Sequence, residues 1–205
     1  MRFTKHSTES ITGQIELQAN WNKEMKDLSL HILDIAQNSI VAGATEITIS
    51  IREELQANRF VIEVKDNGSG MSPEVLQRVA DPYYTTRSTR KVGLGIPLLK
   101  QNAEVAGGSL RLSSQPGEGT TLVAAFGHNH IDRPPLGDIA GVVVLLAGAN
   151  PETRFTYVHK VENKQYVFDT REIAEVLEGL PLSDASVARL LKELINENLS
   201  SINAG

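Results

Sequence analysis

Four short groups of residues in this chain are spaced for chemistry. Asp34 and Asn38 lie four apart, one turn of a helix. Asp66-Asn67-Gly68-Ser69-Gly70-Met71 follows Arg59–Lys65, whose Phe60, Ile62 and Val64 alternate as in a half-buried strand. A carboxylate at a strand end, followed by two glycines, lets backbone come close to a flat ligand and offers an acceptor to an exocyclic amine. Asp-Asn-Gly also suits an ordinary turn. The third group is Gly93-Leu94-Gly95, which opens a helix after a polar loop. The fourth is Gly117-Glu118-Gly119-Thr120-Thr121, a turn that leads into a strand.

The elements that must position these groups can be read from periodicity. Asp27 to Gly43 is a helix: Leu28, Ile32 and Ile35 fall on one arc, and Leu33, Ala36 and Ile40 widen it, at about 100° per residue. Asp34 and Asn38 project from the other side, where a solvated helix face is the plain alternative. Ile47–Ile51 alternates as a strand, with Phe60–Val64 as its hairpin partner. Residues 72–80 form a short helix with Ser72 as cap and Pro73 in the first turn. Residues 81–95 form a loop, Ile96 to Ala106 a helix, and Ser109–Ser114 and Thr120–Phe126 strands.

His128 to Asp138, with Pro134-Pro135 inside, reads as a linker. Val142–Leu146, Phe155–Val161 and Gln165–Phe168 read as strands, and Thr170–Leu177 and Asp184–Leu199 as helices. The expected organisation is a polar extension over 1–24, or sequence upstream of a start at Met25. A first α/β domain follows over 25–126, then a linker with a small α/β region over 127–205.

Bulk composition narrows the class. The chain has 205 residues and a net charge of −5, which does not mark a nucleic-acid binder. It has no Cys, which excludes disulfides, thiolate metal sites and Cys nucleophiles. The longest apolar run, Ile139 to Ala149, is too short to span a bilayer, and the N-terminus lacks a signal-peptide core. Cytoplasm is the expected location. Gly93-x-Gly95-x-x-Leu98 lacks the third glycine of a dinucleotide fingerprint, and no Gly-Lys-Ser/Thr phosphate loop is present.

Taken in order, the four groups resemble the GHKL superfamily of ATPases and kinases, which includes gyrase B, heat-shock chaperones, histidine kinases and mismatch-repair MutL. The resemblance covers about residues 28–126. Leu30 to Thr45 is most similar to MutL. Pro82-Tyr83-Tyr84-Thr85-Thr86-Arg87, and Gly93-Leu94-Gly95-Ile96 with Gly107-Gly108, are most similar to histidine kinases. From His130-Ile131-Asp132-Arg133-Pro134-Pro135 onward the chain resembles stand-alone ATPase-domain proteins of anaerobic bacteria associated with iron-hydrogenase gene clusters.

The resemblance implies a Bergerat fold: a two-layer α/β sandwich that binds ATP and Mg2+, here with a small C-terminal α+β extension. It makes Asn38 the magnesium ligand, an amide oxygen suiting a hard cation. Asp34 becomes the residue that polarises an attacking water or hydroxyl. Asp66 becomes the acceptor for the adenine amino group, supported by Thr120 through water. Gly93, Leu94, Gly95 and Ile96 become the turn that offers N–H groups to phosphate. Gly68, Gly70 and Met71 join the nucleotide site. Tyr84 is a ligand contact or core packing; Arg87 and Lys91 are phosphate contacts or loop charges. Lys91 stands where the family often has another glycine, two residues before Gly93.

Histidine autophosphorylation is not expected, because none of the five His lies on a two-helix hairpin pattern. His128 and His130 flank Asn129 with no obvious further metal ligand. Three activities stay open: slow ATP hydrolysis or a nucleotide switch, with residues 85–92 as a lid gating a partner; phosphoryl transfer to a separate protein, as in anti-sigma serine kinases; or ATP binding without turnover. The expected partners are ATP and a protein the sequence does not specify. Homodimerisation is left open, and neither nucleic acid nor a membrane is expected.

Overall fold

The computed structural model describes residues 26–79 and 95–204. The first described element is helix α1 (Leu28–Val41), capped by Asp27, whose carboxylate accepts from the Leu30 N–H at 3.1 Å. Strands β1 (Glu46–Glu54) and β2 (Arg59–Asp66) form a hairpin, and α2 (Pro73–Val79) follows. Helix α3 (Gly95–Val105) leads into β3 (Ser109–Gln115) and β4 (Gly119–Gly127). Next come α4 (Ile139–Ala149), β5 (Arg154–Val161), β6 (Lys164–Asp169), α5 (Thr170–Val176) and α6 (Ala185–Ser201).

The six strands of the described residues belong to one mixed sheet in the order β3-β4-β2-β1-β5-β6. Neighbours are antiparallel except β1 and β5, which run parallel from Glu46 opposite Arg154 to Glu53 opposite Val161. Residues 139–204 therefore extend the same sheet and share its core. Burial alternates along β1 and β5, so one face is covered by helices. α1 packs against α3 on one side and α4 on the other, and α4 packs against α6. The core joins Leu28 and Ile32 of α1 with Ile49 and Ile51, Phe60 and Ile62, Phe126, Phe155 and Ile195.

One expected element is corrected. Val142–Leu146, read as a strand, lies inside helix α4. An eleven-residue run of apolar side chains has no polar face from which a period could be read. Its surroundings decide: α4 sits among α1, α6 and β5, and a helix apolar on nearly every side satisfies them all. Asp138 caps it by accepting from the Gly141 N–H at 3.0 Å.

The segment between β4 and α4 is fastened to the start of α1. Leu28 N–H donates to Pro135 O at 2.9 Å, and Ser29 N–H to Leu136 O at 2.8 Å. A buried polar cluster lies under the same segment. Glu53, 1% exposed, accepts from His128 Nε2 and His159 Nε2, both at 2.8 Å. His159 Nδ1 in turn lies 2.7 Å from the Tyr157 hydroxyl. Burial raises that hydroxyl's pKa well above its ordinary value, and the Glu53 charge adds to the rise.

Candidate functional site

Asp66 is the last residue of β2 and only 8% exposed. A buried carboxylate must be compensated, and among the described residues this one has three donors. Ser39 Oγ donates to Oδ2 at 2.6 Å. The N–H groups of Gly68 and Thr120 donate to Oδ1 at 2.9 and 3.2 Å. Thr120 sits directly opposite Asp66 in the β2–β4 register. A carboxylate offers about four acceptor positions, of which the described residues take three.

The turn after Asp66 is held residue by residue. Asn67 Oδ1 accepts from the N–H groups of Thr45 and Glu46, both at 2.9 Å, and its amide donates to Thr45 Oγ1. Ser69 N–H donates to Ala42 O at 2.9 Å, and Gly117 N–H to Ser69 O at 2.8 Å. Gly70 has φ +65°, and a Cβ there would overlap the Gln115 carbonyl, so the position requires glycine. Met71 is half-buried, and its N–H donates to Ser114 Oγ at 2.8 Å. Ser114 donates to Gly119 O at 2.8 Å, which leaves the Thr120 hydroxyl to donate to Ser114 across 2.9 Å. The second and fourth sequence groups thus form one bonded unit.

The first and third groups also meet. Gly95, the first residue of α3, is buried against α1 so closely that a Cβ would overlap Oδ2 of Asp34. Asp34 and Asn38 are both half-buried, one turn apart. His31, one turn before Asp34, contacts the Gly95 carbonyl through Nδ1 at 3.3 Å. Ile96 is half-buried and packs on the core. Tyr84, Arg87, Lys91, Gly93, Leu94 and the proposed lid lie outside the described residues. So does the N-terminal extension.

Sequence reasoning missed Ser39, Ser114 and His31. Ser39 and His31 carried a signal: each is polar on or beside the apolar arc of α1. Glu53 and His159 carried the same one, being in phase with Ile49 and Ile51 and with Phe155 and Tyr157. His128 and His130 do not converge. His128 Nε2 is occupied by Glu53, and His130 Nδ1 accepts from the Asp132 N–H. Among the described residues, no group of three or more His, Asp or Glu is arranged to hold a metal. No described helix is long and apolar enough to cross a membrane.

A family model described as histidine kinase-, DNA gyrase B-, and HSP90-like ATPase matches residues 23–129. The chain belongs to this family. Its ATPase domain is 33% identical over 104 residues to the sensor histidine kinase YxdK of Bacillus subtilis, covering 46% of this chain and 32% of that protein. It is 28% identical over 123 residues to sporulation kinase C of the same organism, covering 56% and 28%. The chain thus spans about a third or less of these curated relatives. A crystal structure of the N-terminal domain of a DNA repair protein shares the fold: TM-score 0.54 at 18% identity, over 71% of this chain and 53% of that one.

Proposed function

We propose that the ATPase domain binds magnesium–ATP and that its nucleotide state is communicated to a protein partner. One observation carries this reading. Asp66 is buried at the end of a strand and ordered by Ser39, Gly68 and Thr120, which among the described residues take three of a carboxylate's roughly four acceptor positions. That is the chemistry required to recognise the amino group of adenine. The close approach of Gly95 to Asp34 fits the phosphate end, where a side chain would obstruct the first turn of α3. Asn38 would hold the magnesium ion, which neutralises phosphate charge when bound. Asp34 would take the proton of the attacking water or hydroxyl. In this reading residues 85–92, with Arg87 and Lys91, act as the lid.

The test is calorimetry of ATP binding to wild type and Asp66→Ala. Loss of a hydrogen bond to a charged group, about 1.5–3 kcal/mol, lowers affinity by roughly ten- to a hundredfold. Equal affinities would remove Asp66 from the site. The kinase relatives favour a second reading, transfer of the γ-phosphate to a separate protein. Label passing from ATP to a co-purified partner would distinguish it from hydrolysis.

A further inference from the structure

α1 grips the first residue of α3 at two points, of which Asp34 is one. His31 is the other. It is fully buried, with Nδ1 3.3 Å from Gly95 O and Nε2 3.2 Å from the Asn102 amide nitrogen. A carbonyl can only accept, so Nδ1 carries the proton and donates to Gly95. Nε2 is then the acceptor, and Asn102 turns its NH2 toward it. Burial lowers the pKa of His31, against the opposing effects of the Gly95 bond and the Asp27 charge, so the singly protonated ring is favoured.

The Gly95 carbonyl shares a rigid peptide plane with the Ile96 N–H, and in a trans peptide the two point opposite ways. A bond that holds the carbonyl therefore also aims the N–H, toward the N-terminal end of the helix. Of the first four backbone positions of α3, Pro97 supplies no N–H. Gly95, Ile96 and Leu98 carry the N–H groups of this turn.

We propose that His31 is a positioning residue for phosphate recognition: through the Gly95 carbonyl it sets the direction of the Ile96 N–H. The inference rests on the ATP reading of this domain. It separates two halves of the ligand. Asp66 would serve adenine, and His31 would act only through the phosphate end.

The experiment compares magnesium–ATP with adenosine, by calorimetry, on wild type, His31→Leu and His31→Asn. Leucine removes both hydrogen bonds. Asparagine keeps a donor close to the Nδ1 position. ATP affinity should fall about five- to tenfold in His31→Leu, the scale of one neutral hydrogen bond. Adenosine affinity should stay within about twofold, and His31→Asn should restore most of the ATP affinity. Unchanged ATP affinity in His31→Leu would overturn the proposal, as would equal losses for ATP and adenosine that asparagine does not repair. Nitrogen chemical shifts of the wild-type His31 ring give an answer that needs no folded variant. The Nδ1–H tautomer is expected, and the Nε2–H tautomer would overturn the proposal. A wild-type protein that binds neither adenosine nor ATP, with Asp66→Ala no different, would instead mark failure of the underlying nucleotide reading.

Discussion

Of the three donors on Asp66 among the described residues, the Ser39 hydroxyl is the one that belongs to a side chain. Ser39→Ala leaves a buried carboxylate short of one partner. We expect a loss of about 1.5–3 kcal/mol in stability, measured by denaturant unfolding, together with weaker ATP binding. A variant unchanged in both would show that Ser39 merely packs beside Asp66. His31 gives a pH dependence of known sign. Its pKa is lowered in the fold from about 6.5, so below that value the unfolded chain binds the proton more readily than the folded one. Its contribution to stability is therefore lost as pH falls from 6.5 toward the folded pKa, and it is flat above 6.5. Thermal unfolding from pH 7.5 to 5 should show a steeper acid-side decline in wild type than in His31→Asn; identical profiles would contradict it. The place of Asp66 at the end of β2 was legible in sequence because a carboxylate and two glycines after an alternating run form a local pattern. Ser39 and His31 were not, because their partners stand 27 and 64 positions away. Each announces only that it is polar where apolar residues belong.

At the scale of elements, α4 depends on its N-terminus. Asp138 accepts from the Gly141 N–H at 3.0 Å, and its Oδ2 accepts from Lys192 Nζ of α6 at 2.6 Å. An exposed ion pair contributes little, whereas a cap is worth about 1 kcal/mol. Asp138→Ala should therefore cost about 1 kcal/mol, while Lys192→Ala should cost clearly less. Denaturant midpoints of the two variants check the order, and a larger loss for Lys192→Ala would reverse the assignment. The same helix marks where reading by pattern stopped. β1 and β2 were legible because one face is apolar and the other is not, so a period of two survives in the sequence. α1 was legible for the corresponding reason at the helical period. α4 has almost no polar residue to break its run, and valines at three successive positions suggest a strand. What makes it a helix is the three-sided apolar environment, which appears only after β5 has joined the sheet.

For the molecule as a whole, the decisive contact is the parallel pairing of β1 with β5. It had no local signature, because parallel strands are joined by long crossovers rather than tight turns. The β5 and β6 strands themselves were legible, but their place beside β1 was not. A fragment ending at Asp138 would leave β1 as an edge strand and open the face now covered by α4. It would also leave Glu53 without His159, one of its two imidazole partners. We expect that fragment to lack a stable fold, seen as a collapsed amide NMR spectrum and loss of ATP binding. A dispersed spectrum would show that the family-matched segment stands alone. The pairing also has a consequence in time. Glu46 must wait for Arg154, 108 positions later (154 − 46), before its strand acquires a second neighbour. At ribosomal rates of about 5–20 residues per second, that interval is on the order of 5–20 seconds. Throughout it, a growing polypeptide would carry an open strand edge beside bulky aliphatic side chains, a surface that invites pairing with another nascent copy. Codon speed between β2 and β5 thus becomes a determinant of yield, and slow synthesis there should divert chains toward aggregates or chaperones.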